Sequence, residues 1–217
     1  MDIGWIGTRI RAGAGRGEGA CFSESILFIG PMGVGKTSAA KQVASILGMD
    51  YVDVDAQRWD YFSRQPDYDA RIVDRLFSES RGIEAFSYMK PFEARYAVDI
   101  LASNAHRVFD FGAGYSVYQS AELFEQVKAA FSKYKNVVFL RYSSDTAESL
   151  EALRERHADV PKELYDALNK EFIESPCNQA LATHVIDTKG KSTHEVAELV
   201  LKLIYSNPTN HCPNGES

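Results

Sequence analysis

Ile26-Leu27-Phe28-Ile29-Gly30-Pro31-Met32-Gly33-Val34-Gly35-Lys36-Thr37 joins a short apolar run to a complete G-x-x-x-x-G-K-T pattern, and Ser38 to Leu47 behind it reads as a helix. An apolar run of that length bounded by glycine is the form of a buried strand. The glycines let the backbone turn with N–H groups pointing inward, and the helix N-terminus adds partial positive charge, so the stretch predicts a phosphate-binding loop. Gly30, Met32, Gly33, Val34, Gly35, Lys36, Thr37 and Ser38 are the expected nucleotide contacts. Lys36 is expected on the β- and γ-phosphates, and the Thr37 hydroxyl on Mg²⁺. A strand–loop–helix unit of this kind makes the fold α/β.

Working outward, the chain of 217 residues is the size of one such domain, with 45% hydrophobic and 25% charged residues. That is the composition of a soluble globular protein. A formal net charge of −6 argues against a nucleic-acid surface. Cys21, Cys177 and Cys212 show no metal-ligand spacing and suggest reduced thiols in a cytoplasmic protein. No run approaches the length of a membrane span. The phosphate loop makes a nucleotide an expected partner, with the chain a monomer or weak dimer. Residues 1–24 hold six glycines between Gly4 and Gly19 and three arginines, without the apolar core of a signal peptide. They read as a flexible arm before a domain over 25–206, and 207–217 as a flexible tail.

Short apolar runs alternate with longer amphipathic ones, the pattern of a parallel sheet covered by helices. Strands are expected at Ile26–Ile29, Tyr51–Val54, Arg107–Phe111, Asn136–Arg141 and His184–Asp187, with a last helix at Thr193–Tyr205. Pro91 and Pro161 mark places where a helix can begin. Residues 56–104 read as mostly helical and aromatic-rich, a wall for a second substrate beyond the carboxyl end of strand two. Most of those aromatics read as core, and Arg58, Arg64, Arg71 and Arg95 as solvated helix-face charges.

Asp53-Val54-Asp55 closes strand two. Residues two apart on a strand share a face, so both carboxylates are expected before the phosphate loop. One of the two carboxylates would hold a water on Mg²⁺, and the other would accept the proton of an attacking hydroxyl. Asp110 ends the next apolar strand as a Walker B carboxylate would, with a buried turn-capping role as the alternative. Gly112 and Gly114 after it allow close approach of a ligand. Arg154 and Arg156 fall where a lid could close over the γ-phosphate, although the stripe Leu164, Leu168, Phe172 makes packed helix an equal reading of that region.

The order of these motifs resembles the shikimate kinase family, a branch of the nucleoside-monophosphate-kinase-like P-loop proteins, over roughly Ile26 to Ile204. The resemblance rests on the phosphate loop, on Tyr51-Val52-Asp53-Val54-Asp55, on Phe111-Gly112-Ala113-Gly114 and on the last strand within Ala182 to Thr188. It implies a P-loop three-layer α/β/α sandwich with a five-stranded parallel sheet in the order 2-3-1-4-5. It also implies ATP and Mg²⁺ as cofactors, Mg²⁺ on Thr37 with Asp53 or Asp110, and an acceptor hydroxyl on Asp55. Gly112, Ala113 and Gly114 would cradle the acceptor.

The departures fall in the acceptor half. The family reads shikimate's carboxylate with an arginine after a phenylalanine, whereas Phe92 is followed by Glu93. A second family arginine precedes a proline, where this chain has Glu174-Ser175-Pro176. Arg95 compensates only if the helix register shifts by two. Ala113 adds a methyl to a glycine loop, and the R-P lid signature is missing. Repulsion in place of bidentate pairing disfavours a carboxylate ligand. The expectation is therefore a Mg-ATP-dependent kinase with catalytic Lys36 and Asp55, acting on a neutral or cationic hydroxylated acceptor other than shikimate. A silent nucleotide-binding module and a shikimate kinase with a diverged pocket are the alternatives.

Overall fold

A computed structural model describes residues 24–103, 106–156 and 160–206. The arm expected over 1–24 lies outside the described residues except for Glu24, which pairs with Lys135 at 2.9 Å. The tail over 207–217 also lies outside them.

Five strands form the sheet: β1 (Ile26–Ile29), β2 (Asp50–Asp53), β3 (Arg107–Asp110), β4 (Val137–Arg141) and β5 (His184–Asp187). All pairings are parallel and the order is β2-β3-β1-β4-β5. Strand two therefore begins and ends one residue earlier than the sequence suggests.

The helices are α1 (Lys36–Leu47), α2 (Val54–Ser63), α3 (Ala70–Ser78), α4 (Gly82–Ala102), α5 (Ala121–Phe131), α6 (Thr146–Arg154), α7 (Lys162–Glu174), α8 (Pro176–Leu181) and α9 (Thr193–Tyr205). Strand alternation divides them between two layers. Leu27, Ile29, Val52, Phe109 and Phe139 pack with Phe62, Val73, Met89, Phe92, Val127 and Phe131 on one face. Ile26, Phe28, Val108, Val138 and Leu140 pack with Ala40, Val43, Val196 and Val200 on the other. Strands buried on both faces explain why they read as continuous apolar runs. A smaller cluster joins Ala113 and Val117 to Leu168 and Phe172 of α7.

Between β2 and β3 stand three helices, as the aromatic-rich interval suggests. Phe62, Phe92 and Tyr96 are core, whereas Trp59 and Phe77 are exposed. Pro91 does not start a helix; it lies inside α4. An interior proline costs about 3 kcal/mol. Burial of Met89, Phe92, Ala94 and Ala97 around it outweighs that local preference. Pro161, by contrast, is the residue that caps α7.

Candidate active site

β1 delivers the chain into the phosphate loop. Gly30 has φ 141°, and a Cβ there would lie 2.2 Å from the Leu140 carbonyl oxygen, so no side chain fits as the loop leaves the sheet. Gly35 (φ 100°) then turns the chain into α1. Thr37 and Ser38 are exposed at the first turn of that helix, whereas Lys36 is buried.

Three consecutive carbonyls of the loop are met by side-chain donors. Lys36 Nζ donates to Pro31 O at 2.9 Å, Asn169 Nδ2 to Met32 O at 3.3 Å, and Arg156 to Gly33 O at 2.7 Å. The Met32 N–H donates to Asn169 Oδ1 at 2.8 Å. Its amide is thereby committed to protein rather than directed at a phosphate, as the sequence reading had it. Burial lowers the Lys36 pKa, while Asp110 and Asp55 nearby favour its charged form.

Asp110, at the end of β3, is buried. It stands in register with Asp53 across the β2–β3 ladder. Its carboxylate accepts from the Tyr51 hydroxyl at 3.0 Å, and the nearby Thr37 hydroxyl favours its charged form. Burial raises the Asp110 pKa, opposed by Thr37 and by Lys36. Burial and the adjoining carboxylates likewise hold the Tyr51 hydroxyl protonated well above its ordinary range. Thr37, Asp53 and Asp110 form a small set of hard oxygen donors, which suits Mg²⁺ completed by phosphate oxygens and water. Among the described residues no cluster of three or more His, Cys, Asp or Glu forms a cage.

Asp53 and Asp55 do not share a strand face. β2 ends at Asp53, whose Oδ1 caps α2 by accepting from Ala56 N at 2.9 Å, and Asp55 sits in the first turn of that helix. The helix begins here because an aspartate cap satisfies an orphan N–H and an acidic first turn complements the helix dipole. Asp55 still faces the site: a Cβ on Gly112 would lie 2.5 Å from its Oδ1. Burial raises its pKa, Arg58 lowers it, and Glu93 raises it further. Arg58 donates to Asp55 at 2.5 Å and lies over the Trp59 ring. It is thus part of the site and not a solvated helix-face charge.

Glu93 lies in the acceptor half, only 1% exposed, and Lys90 on the preceding turn of α4 meets it at 2.8 Å. The same ammonium donates to Gly114 O at 2.7 Å. A Cβ on Gly114 would lie 2.9 Å from Lys90 Nζ and 3.0 Å from Glu93 Oε2, so glycine there admits the pair. The Ala113 methyl does not project at an acceptor; it packs with Leu168 and Phe172. Arg95 is bound to Asp67 at 2.8 Å and lies over the Phe92 ring. Glu174 is exposed on a shallow depression of about 440 Å³ shared with Tyr118, Gln119 and Cys177. Arg154 turns to Asp166 at 2.7 Å, leaving Arg156 as the arginine at the phosphate loop.

Tyr51, Arg58, Lys90 and Asn169 escaped the sequence reading. Tyr51 shares a strand face with Asp53, and Arg58 follows Asp55 by three helix positions, so both had a local signal. Lys90 and Asn169 are recognisable only through contacts made across the fold.

This arrangement defines a P-loop kinase-type α/β protein, with a phosphate loop after β1 and carboxylates at the ends of β2 and β3. The chain belongs to the shikimate kinase family, whose profile matches residues 32–205. It is 31% identical over 179 residues to the shikimate kinase of Thermobifida fusca, covering 81% of this chain and 92% of that protein. The shikimate kinase of Bacillus pumilus is 28% identical over 180 residues, covering 76% and 88%. In structure the chain is similar to shikimate kinase from Acinetobacter baumannii in complex with shikimate: TM-score 0.62, 22% identity, 85% of this chain and 94% of that one. A gluconokinase from Sinorhizobium meliloti shares the fold at TM-score 0.52 and 18% identity, over 86% and 98%. Among the described residues no helix is long and apolar enough to cross a membrane.

Proposed function

We propose that the chain transfers the γ-phosphoryl group of ATP to a hydroxyl of a small, uncharged, polyhydroxylated acceptor other than shikimate. The observation that carries this reading is Glu93: a buried carboxylate, paired with Lys90, stands where family resemblance places an arginine for the acceptor's carboxylate. Lys90 offsets the charge of Glu93, so the pocket loses its reason to prefer a cation while gaining no free cation for an anion. The two arginines nearest in sequence to the acceptor elements are engaged as well, Arg58 with Asp55 and Arg95 with Asp67.

Thr37 with Asp110, and Asp53 through water, would hold Mg²⁺, which supplies charge neutralisation to the polyphosphate when bound. Lys36 is expected to leave Pro31 O for the phosphates and to stabilise the charge that builds on them. Asp55, oriented by Arg58 and backed by Gly112, orients the acceptor hydroxyl and takes its proton as the O–P bond forms. Arg156 closes the loop from above and supports the same developing charge.

A second reading, shikimate as acceptor, is favoured by the names of the curated relatives. Incubation with Mg-ATP and a panel of hydroxylated metabolites, shikimate included, tests both through ADP release. Turnover with an uncharged polyol and not with shikimate supports the proposal. Turnover with shikimate alone overturns the reading of Glu93. ATP binding without turnover on any acceptor points to a nucleotide-binding module.

A further inference from the structure

Asn169 is 0% exposed on α7, amid Leu168, Phe172 and Tyr165. A buried primary amide is costly unless its donors and acceptor are all used. Here three hydrogen bonds use them, two of which go to one distant residue. Oδ1 accepts the Met32 N–H at 2.8 Å, and Nδ2 donates to the Met32 carbonyl at 3.3 Å. The same Nδ2 donates to the Tyr165 hydroxyl at 2.7 Å. The side chain thus reads both main-chain polar atoms of a single phosphate-loop residue. The neighbouring carbonyl, Gly33 O, is held by Arg156.

We infer that Asn169 is a positioning residue for the phosphate loop, fixing Met32 so that the loop is held in the form that receives nucleotide. Two polar atoms of Met32 are drawn toward α7, which leaves the glycine-rich stretch after it to turn its amides inward. Preorganisation of this kind removes an ordering cost from binding. Nucleotide affinity then depends on a side chain of α7. This rests on reading the loop as a nucleotide site, so the experiment separates the two.

The test measures ATP binding directly on folded wild type, N169A, N169L and Y165F, with thermal midpoints for each. Tyr165→Phe removes the hydroxyl that Asn169 also meets but leaves the Met32 contacts. ATP affinity is expected to fall about tenfold or more in N169A and N169L, and to stay within about twofold in Y165F. KM for ATP rises with it, while KM for the acceptor is unchanged. A lower thermal midpoint with unaltered ATP affinity makes Asn169 merely structural and overturns the inference. Wild type that does not bind ATP overturns the nucleotide reading itself. Amide exchange on nucleotide-free wild type needs no variant: the Met32 N–H is expected to be protected, and exchange at the rate of an open chain overturns the clamp.

Discussion

Asp53 and Asp110 stand side by side in register at the carboxyl ends of two neighbouring parallel strands, with Tyr51 bridging to Asp110 at 3.0 Å. Parallel pairing gives in-register residues the same face, so the ladder itself brings the two carboxylates to the phosphate loop. They are not equivalent. One Asp53 oxygen is held by the N-cap of α2, whereas Asp110 lies near the Thr37 hydroxyl.

Asp110→Asn is accordingly expected to raise the Mg²⁺ concentration needed for half-maximal turnover by about tenfold or more. Asp53→Asn, which preserves the cap, should have the smaller effect. Titration of activity with Mg²⁺ at fixed ATP compares the two, and equal dependence on both would contradict the assignment.

Asp55→Asn removes the proton acceptor and keeps the shape. Turnover is expected to fall by roughly 10²–10⁴-fold with ATP affinity little changed. Gly112→Ala tests the same contact from the other side, since the added methyl must displace a carboxylate oxygen that lies 2.5 Å from it. Its kcat should fall with KM for ATP unaltered, as separate kinetic constants will show.

Burial holds the Asp55 carboxyl above the usual carboxylate range, with Arg58 opposing that shift. A base must be ionised, so activity is lost as pH falls through this raised value. The acid limb of kcat/KM should lie above the ordinary aspartate range near 3.9. Arg58→Met removes the opposing cation and should move the limb to higher pH. A limb that moves down, or does not move, separates Arg58 from Asp55.

Of the two arginines at the end of α6, Arg156 reaches Gly33 O and Arg154 reaches Asp166. Arg156→Ala should raise KM for ATP several-fold. Arg154→Ala breaks a partly exposed ion pair, worth up to about 1 kcal/mol of stability, and should leave KM for ATP alone. Steady-state kinetics with a melting curve for each variant distinguishes them.

Much of this architecture is written locally. β1, β5 and α9 fall at the residues where apolar periodicity puts them, because strands buried on both faces and a helix with one apolar stripe leave plain signatures. Lys36, Asp55 and Asp110 could be singled out from the sequence because each belongs to a short motif at or just after the end of an apolar strand. Asp53 and Asp55 came together by a different route from the expected one, since the capping preference of Asp53 ended the strand first. Pro91 misled for the opposite reason: its local preference lost to burial of the helix around it. Asn169 and Lys90 were out of reach, because an asparagine in an amphipathic helix and a lysine beside a glutamate have no distinctive spacing. Their significance comes from Met32 and Gly114, which only the closed fold brings to them.

The central claim concerns what the acceptor half of the site admits. Its most direct test is kcat/KM at saturating Mg-ATP for shikimate against the best uncharged polyhydroxylated acceptor found by ADP release. The pairing of Glu93 with Lys90 predicts at least about tenfold preference for the uncharged molecule. A kcat/KM for shikimate equal to or above that of every uncharged acceptor would contradict the account.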